Sequence, residues 1–154
     1  MILGTIYFAT ATVDADVVEI LARPRYRGIL ADLATEACRL ADVLGILVEP
    51  VDGFDPHAVR TDAAYDLMAA EAAWDAQIVY WQRGIARRTG VWRDLAIRHR
   101  KTEATPILGA LIDAAERAGQ PVSRVRVLLR TIQELEEGRR QMDWANLQEI
   151  DRTG

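Results

Sequence analysis

Apolar residues that recur at spacings of three and four positions along most of the chain constrain its fold more than any other feature. The pattern is clearest from Arg25 to Leu44 and again from Ser123 to Leu135. This spacing places the apolar side chains on one face of a helix, and such faces pack together into a core. Only positions 2–10 are rich enough in β-branched and aromatic residues to suggest a strand. The sequence therefore predicts an all-α protein.

Breaks in the pattern predict where the helices begin and end. The first three expected helices are Met1 to about Thr12, a short helix opened by Asp14 and stopped by Pro24, and Arg25–Leu44. The next is the longest and runs from Asp55-Pro56 to about Arg88. The last two are one opened by Thr102 or Thr105 and closed by Gly119, and one opened by Ser123. The polar, basic stretch 91–101 is expected to be an extended or irregular connector. Beyond Gly138 the apolar pattern fades, so the tail is expected to fray. Two exposed ion pairs are expected at i,i+4 spacing, Arg130–Glu134 and Glu136–Arg140.

Length and composition predict one helical domain over residues 1–154, because half of the 154 residues are apolar. The net charge of −4 argues against binding to nucleic acid or to anionic membranes. The single cysteine, Cys38, forms no internal disulfide and is expected to be buried, which favours a reducing, cytoplasmic location. The apolar opening Met1–Val13 is too short to span a membrane and lacks the basic start of a signal peptide.

Several familiar cofactor and metal motifs are missing from the sequence. It contains no G-x-G-x-x-G, no phosphate-binding P-loop, no H-E-x-x-H and no C-x-x-C. Two histidines and one cysteine offer little for a zinc site. We therefore expect no cofactor site and no metal site within these residues.

Basic residues concentrate between Arg83 and Lys101, where seven cations accompany a single acid, Asp94. The first interpretation is a solvated surface paired with acids of neighbouring helices. The second is a binding face for a carboxylate or phosphate, because arginine holds such groups in a bidentate manner. The third is nucleic acid, which the net charge opposes.

The segment Arg100-Lys101-Thr102-Glu103 directly precedes a predicted helix. With Thr102 as the capping residue, Glu103 would lie in the first turn, where the helix dipole favours a negative charge. This explains both residues structurally. A carboxylate at the end of a basic loop is also well placed to bind a ligand.

The run from Thr89 to Glu103, in which Asp94 is followed by an Arg-x-Thr-Glu element, resembles the C-terminal domain of ketopantoate reductases (2-dehydropantoate 2-reductases). Gly109, the turn Ala118–Pro121 and the helix Arg25–Ile46 agree with the layout of that family, so the resemblance covers nearly the whole chain. It implies a helical bundle like the C-terminal domain of 6-phosphogluconate dehydrogenase.

The resemblance also implies a function. Full-length ketopantoate reductases carry an N-terminal Rossmann domain that binds NADPH, and they transfer hydride to a 2-oxo acid in pantothenate biosynthesis. The active site lies between the two domains. The Rossmann domain is absent from these residues, and the family's catalytic lysine would fall immediately before Met1. The chain alone is therefore expected to bind no cofactor and to be inactive.

Of the family's substrate-binding residues, Glu103 carries over directly, and Arg93, Asp94 and Arg100 are expected to shape and charge the rim of the cleft. Gly4 and Phe8 stand where the family has asparagines, and Leu108 replaces another. Thr89 or Gly90 lies near a family serine. Polar groups matched to a substrate hydroxyl contribute strongly to discrimination, so these departures predict a 2-oxo acid other than ketopantoate.

Two alternatives remain open. One is a non-catalytic dimerisation or interaction domain, in which Met1–Phe8 packs against a partner or a second copy. The other is a stand-alone binder of a small anion through Arg83–Lys101. The expected partners are thus a Rossmann domain, a second copy or a small 2-oxo acid, and neither nucleic acid nor a membrane.

Overall fold

A computed structural model describes residues 1–62 and 66–153. Within these ranges the chain forms eight α-helices and no β-strand, as the apolar spacing predicts. They are α1 (Ile2–Thr10), α2 (Val17–Leu21), α3 (Pro24–Val43), α4 (Leu67–Arg83), α5 (Gly90–Ala96), α6 (Ala104–Arg117), α7 (Ser123–Glu136) and α8 (Trp144–Asp151). None of the described helices is both long enough and apolar enough to cross a membrane.

Helices α1 and α3 form the centre of the molecule. Helix α1 packs mainly against α3 and also contacts α2, α5, α6 and α7. Ile6 of α1 and Leu30 and Leu33 of α3 are almost fully buried between them, together with Leu108 and Leu128 from α6 and α7. Cys38 is buried as expected, and burial raises the pKa of its thiol to about 11.

The start of α7 is capped by a carboxylate from a distant helix. The backbone N–H groups of Arg124 and Val125 donate to the two oxygens of Glu36 at 3.0 and 3.1 Å. Val122, which precedes the helix, provides no side-chain cap. Glu36 therefore satisfies amide groups that a helix start leaves unpaired, and it ties α3 to α7.

The expectation of a longest helix beginning at Asp55-Pro56 is wrong. Asp55 accepts a hydrogen bond from the N–H of His57 at 2.9 Å, but this closes only a turn. Helix α4 begins at Leu67, where the side chain of Asp66 caps the first turn, and α3 is longer, with 20 residues against 17. Phe54 and Val59 are fully buried, so the intervening turn is held by the core. The part of the expected helix at 63–65 lies outside the described residues.

The expected irregular connector at 91–101 is in part the helix α5. Thr89 caps this helix by accepting from the N–H of Trp92 at 3.1 Å, and Val91 and Leu95 are buried at a spacing of four. Because this stretch contains many arginines, its sequence did not reveal the short amphipathic helix. Similarly, Asp16 rather than Asp14 caps α2.

The C-terminal tail folds into α8 instead of fraying. Asp143 caps this helix, and Leu147 and Ile150 are completely buried. The ring of Trp144 lies 4.7 Å from that of Tyr26 in α3. The tail is therefore held by contacts with distant parts of the chain, which a local pattern does not reveal.

The two ion pairs expected within α7 and the residues after it do not form. Arg130 instead pairs with Glu149 of α8 at 2.6 Å. Arg140 pairs with Glu134 and Glu149, at 2.6 and 2.8 Å. These pairs join α8 to α7 and to the segment between them. Glu136 pairs with neither arginine and accepts hydrogen bonds from other residues.

Candidate substrate-binding site

Glu136, at the end of α7, fixes the Arg-Lys-Thr-Glu segment where it enters α6. Its Oε1 accepts three hydrogen bonds: from the backbone N–H and the hydroxyl of Thr102, both at 2.8 Å, and from the hydroxyl of Thr105 at 3.0 Å. The Thr102 hydroxyl oxygen in turn accepts from the N–H of Ala104 at 3.2 Å. Thr102 is therefore buried and held from two sides. Its hydroxyl satisfies the first amide of α6, but the N-cap position belongs to Glu103, so the prediction of Thr102 as the capping residue is wrong.

Glu103 lies directly after this fixed threonine and is exposed. It occupies the N-cap position of α6 and not the first turn, and its side chain caps no amide. In the part of the chain that the structure describes, its carboxylate makes no hydrogen bond and no ion pair. The backbone of Glu103 is thus held firmly, while its charge faces solvent beside the positive end of the α6 dipole.

Asp94 forms the centre of a small charged cluster at the end of α5. Arg98 donates a hydrogen bond to it at 2.7 Å and Arg100 donates one at 3.1 Å. The hydrogen bonds from Arg100 and then Arg98 lower the pKa of the Asp94 carboxyl. The structure therefore brings together Asp94 and Arg100, two of the predicted rim residues, and adds Arg98.

Arg93 lies apart from that cluster. It is exposed and lines a shallow groove of about 370 Å³ with Arg87, Arg88 and Trp92. Arg88 pairs with Asp14 at 2.6 Å and its guanidinium lies 3.9 Å from the Trp92 ring centre. Among the described residues, Arg93 and Arg87 form no ion pair. No hydrogen bond or ion pair joins Glu103 to Arg93, Asp94 or Arg100.

The positions where the family has asparagines lie on α1. Phe8 is buried in the domain's own core, and a Cβ added at Gly4 would lie 3.5 Å from the Phe8 ring. Leu108 of α6 is fully buried. At these three positions the chain therefore presents apolar packing and a glycine, and none of them offers a side-chain hydrogen bond to a ligand.

The start of α1 borders an apolar groove of about 350 Å³. Met1, Ile2 and Leu3 line it together with Leu44, Ile46 and Leu47, of which Leu47 is 82% exposed. Further along α1, Thr5, Ile6 and Phe8 are buried within the domain itself. Of the predicted association segment Met1–Phe8, only the first three residues thus reach this surface groove.

Residues 1–62 and 66–153 hold no group of three or more His, Cys, Asp or Glu side chains placed to bind a metal ion. The sequence did not indicate the role of Glu136. Its spacing to Arg140 pointed to a local ion pair, whereas its actual partners lie 31 and 34 residues away.

Comparison with known protein families decides where this fold belongs. The family model described as "Ketopantoate reductase PanE/ApbA C terminal" matches residues 1–136. The chain belongs to this family. The match spans α1 to α7, and the fold is the helical fold of the 6-phosphogluconate dehydrogenase C-terminal domain. Neither the curated proteins nor the solved structures gave a match to the chain.

Proposed function

We propose that this chain is the substrate-binding helical domain of a ketopantoate-reductase-like oxidoreductase. The complete enzyme transfers hydride from NADPH, held by a Rossmann domain, to a 2-oxo acid. The chain by itself binds no cofactor and is inactive. The observation that carries this proposal is the exposed carboxylate of Glu103, which has no partner among residues 1–62 and 66–153, next to the buried and doubly held Thr102.

Glu103 binds a hydroxyl or a related polar group of the substrate. A carboxylate accepts such a hydrogen bond more strongly than a neutral group does. The fixed backbone of Thr102 places the start of the Glu103 side chain at the end of α6 that carries the positive pole of the helix dipole. The Asp94–Arg100 pair supplies charge at the rim. The exposed Arg93, in its separate groove, adds a positive charge on α5 that attracts the substrate carboxylate.

The substrate differs from ketopantoate in this proposal. Gly4 and the buried Phe8 leave α1 without the two amides that other members use, so a substrate with a more apolar substituent suits this chain better. A site that has lost its polar partners no longer selects strongly for a substrate hydroxyl on that side.

The test is NADPH oxidation with a panel of 2-oxo acids that ranges from ketopantoate to analogues with apolar substituents. The chain alone should give no turnover. Joined behind the NADPH-binding domain of a family member that retains its own catalytic lysine, it should give turnover. Glu103→Gln should then lower kcat/KM by roughly 10- to 100-fold, the value of a charged hydrogen bond. Glu116→Gln, an exposed glutamate on the same helix, is the matched control. Equal activity of both variants would refute the role of Glu103.

The apolar groove beside Met1–Leu3 favours a second function, that of a dimerisation domain. Met1, Leu44, Ile46 and Leu47 are each about half exposed or more around it. Exposed apolar patches of this kind are typical of association surfaces. Sedimentation equilibrium with the wild type and with Leu47→Ser tests this: a concentration-dependent dimer that Leu47→Ser abolishes would support it, and a monomer at all concentrations would exclude it.

A further inference from the structure

A second groove, of about 900 Å³, includes Tyr7 of α1 in its lining. Three aromatic residues, Tyr7, Tyr80 and Trp81, line it with the charged residues Asp52 and Arg83, and the small residues Gly53, Ala76 and Gly84 lie in the same lining. None of these belongs to the segment 89–103. The groove is therefore independent of the role proposed for Glu103, and its volume is typical of small-molecule sites.

One wall of this groove is held rigid by a buried amide. Gln77 of α4 is 1% exposed, and its Nε2 donates to the carbonyl oxygen of Asp52 at 2.9 Å. Its Oε1 accepts from the Tyr7 hydroxyl. Burial raises the pKa of that hydroxyl to about 12, so Tyr7 stays neutral and keeps donating. Tyr7 and the turn at Asp52 thus keep fixed positions relative to α4.

The three aromatic rings pack against one another. Tyr7 and Tyr80 each meet Trp81 edge to face, with ring centres 5.1 and 6.2 Å apart. Tyr80 is 47% exposed, so part of its ring faces the groove or solvent. The indole N–H of Trp81 is buried beside the Tyr7 hydroxyl but forms no hydrogen bond of normal geometry. A planar aromatic ring gains most from such surroundings, through stacking or edge contacts.

Two opposite charges complete the groove. Asp52 and Arg83 are both exposed, and both line it. They form no ion pair with each other or with any other residue of the described ranges. Opposite charges that share a groove without pairing suit a ligand that carries both complementary charges itself.

We propose that this groove binds a small aromatic zwitterion, of the class of the aromatic α-amino acids. The ring of the ligand lies against Tyr80 and Trp81. The guanidinium of Arg83 binds the ligand carboxylate, and Asp52 binds the ammonium group.

The proposal is tested by calorimetric titration of the chain with three ligands that share one ring. L-Tryptophan carries both charges, indole-3-propionate lacks the ammonium group and tryptamine lacks the carboxylate. We expect saturable binding of L-tryptophan and at least about tenfold weaker binding of the other two, because each loses one charged hydrogen bond. Absence of saturable tryptophan binding, or equal affinity for all three, would overturn the proposal.

Variants locate the binding. Arg83→Gln and Asp52→Asn should each weaken tryptophan binding by about tenfold or more. Asparagine also tolerates the positive φ of 52° at position 52. Arg87→Gln, an exposed arginine outside this groove, should leave affinity unchanged. Amide NMR shifts on the wild type provide a readout that needs no variant: shifts at Gly53, Ala76 and Gly84 support the site, and shifts confined to other helices contradict it.

Discussion

At the scale of single residues, Thr102 and Glu103 have different roles although they are adjacent. Thr102 is buried, and its hydroxyl both donates to Glu136 and accepts from Ala104. Glu103 is exposed, and its carboxylate makes no hydrogen bond or ion pair in the described structure. The sequence predicted Thr102 as the N-cap residue, a position that Glu103 takes, and it predicted Glu103 as a ligand-binding acid, which stays a prediction. It did not identify Glu136, because a contact 34 residues away leaves no local spacing to detect.

Replacing Thr102 with valine removes its hydroxyl while keeping its shape. Glu136 then loses one donor, and the N–H of Ala104 loses its acceptor in a buried place. We expect the free energy of unfolding to fall by about 1–2 kcal/mol, as measured by urea denaturation. The matched control is Thr105→Val, which removes one half-buried hydrogen bond to the same oxygen and should cost less. A larger loss in Thr105→Val than in Thr102→Val would contradict this account.

At the scale of helices, the sequence predicted those whose apolar faces are long and continuous, such as α1, α3, α6 and α7. It did not predict elements whose formation depends on contacts with distant parts of the chain. Helix α8 exists because Leu147 and Ile150 are buried against the rest of the domain. Helix α5 has only two buried apolar positions, Val91 and Leu95, among basic residues. The N-terminus of α7 likewise depends on Glu36 of α3 and not on its own preceding residue.

The cap that Glu36 supplies predicts a sizeable effect of its removal. Glu36→Ala leaves the N–H groups of Arg124 and Val125 without a partner, the latter in a buried position. Burial disfavours the charged form of Glu36 and so raises its pKa. Because the alanine variant has no such buried charge, part of the loss of stability is offset. We expect a net loss of about 1–3 kcal/mol in unfolding free energy. Glu116→Ala, which removes an exposed ion pair with Arg126, should change stability by less than about 0.5 kcal/mol. Equal stability of the two variants would rule out a capping role.

The loop after α3 is joined to that helix by a charge network that depends on pH. Hydrogen bonds from Arg60 and then from Arg39 lower the pKa of the Asp62 carboxyl in the folded protein. Because the folded pKa lies below the unfolded value of about 3.9, this stabilisation is complete above that pH. It is lost as the pH falls through the folded pKa.

Asp62→Asn removes this titration. We expect the variant to be less stable than the wild type near neutral pH and to lose less stability below about pH 4. Thermal unfolding, followed by circular dichroism between pH 2 and 7, measures how the stability of the wild type and of the variant depends on pH. Asp113→Asn, an exposed aspartate on α6 with no ion pair in the described structure, is the control. If the wild type and Asp62→Asn lost stability equally as the pH falls below about 4, the proposed role of Asp62 would be wrong.

At the scale of the whole molecule, the helical fold and the family were both accessible from the sequence. The repeated apolar spacing gave the fold class, and the Arg-x-Thr-Glu element with its neighbours pointed to the ketopantoate reductase family. The arrangement of the site was less accessible. Arg93 lies in a separate groove from the Asp94–Arg100 pair, and side-chain direction around a short helix does not follow from sequence order.

The proposed binding of the substrate by Glu103 is tested most directly by titrating the ¹⁵N-labelled chain with 2-oxo acids and following the amide NMR signals. We expect shifts that saturate and that cluster at residues 93–104. Glu103→Gln should weaken these shifts, and Glu116→Gln should leave them unchanged. Shifts that lie elsewhere, or that persist undiminished in Glu103→Gln, would contradict this role of Glu103.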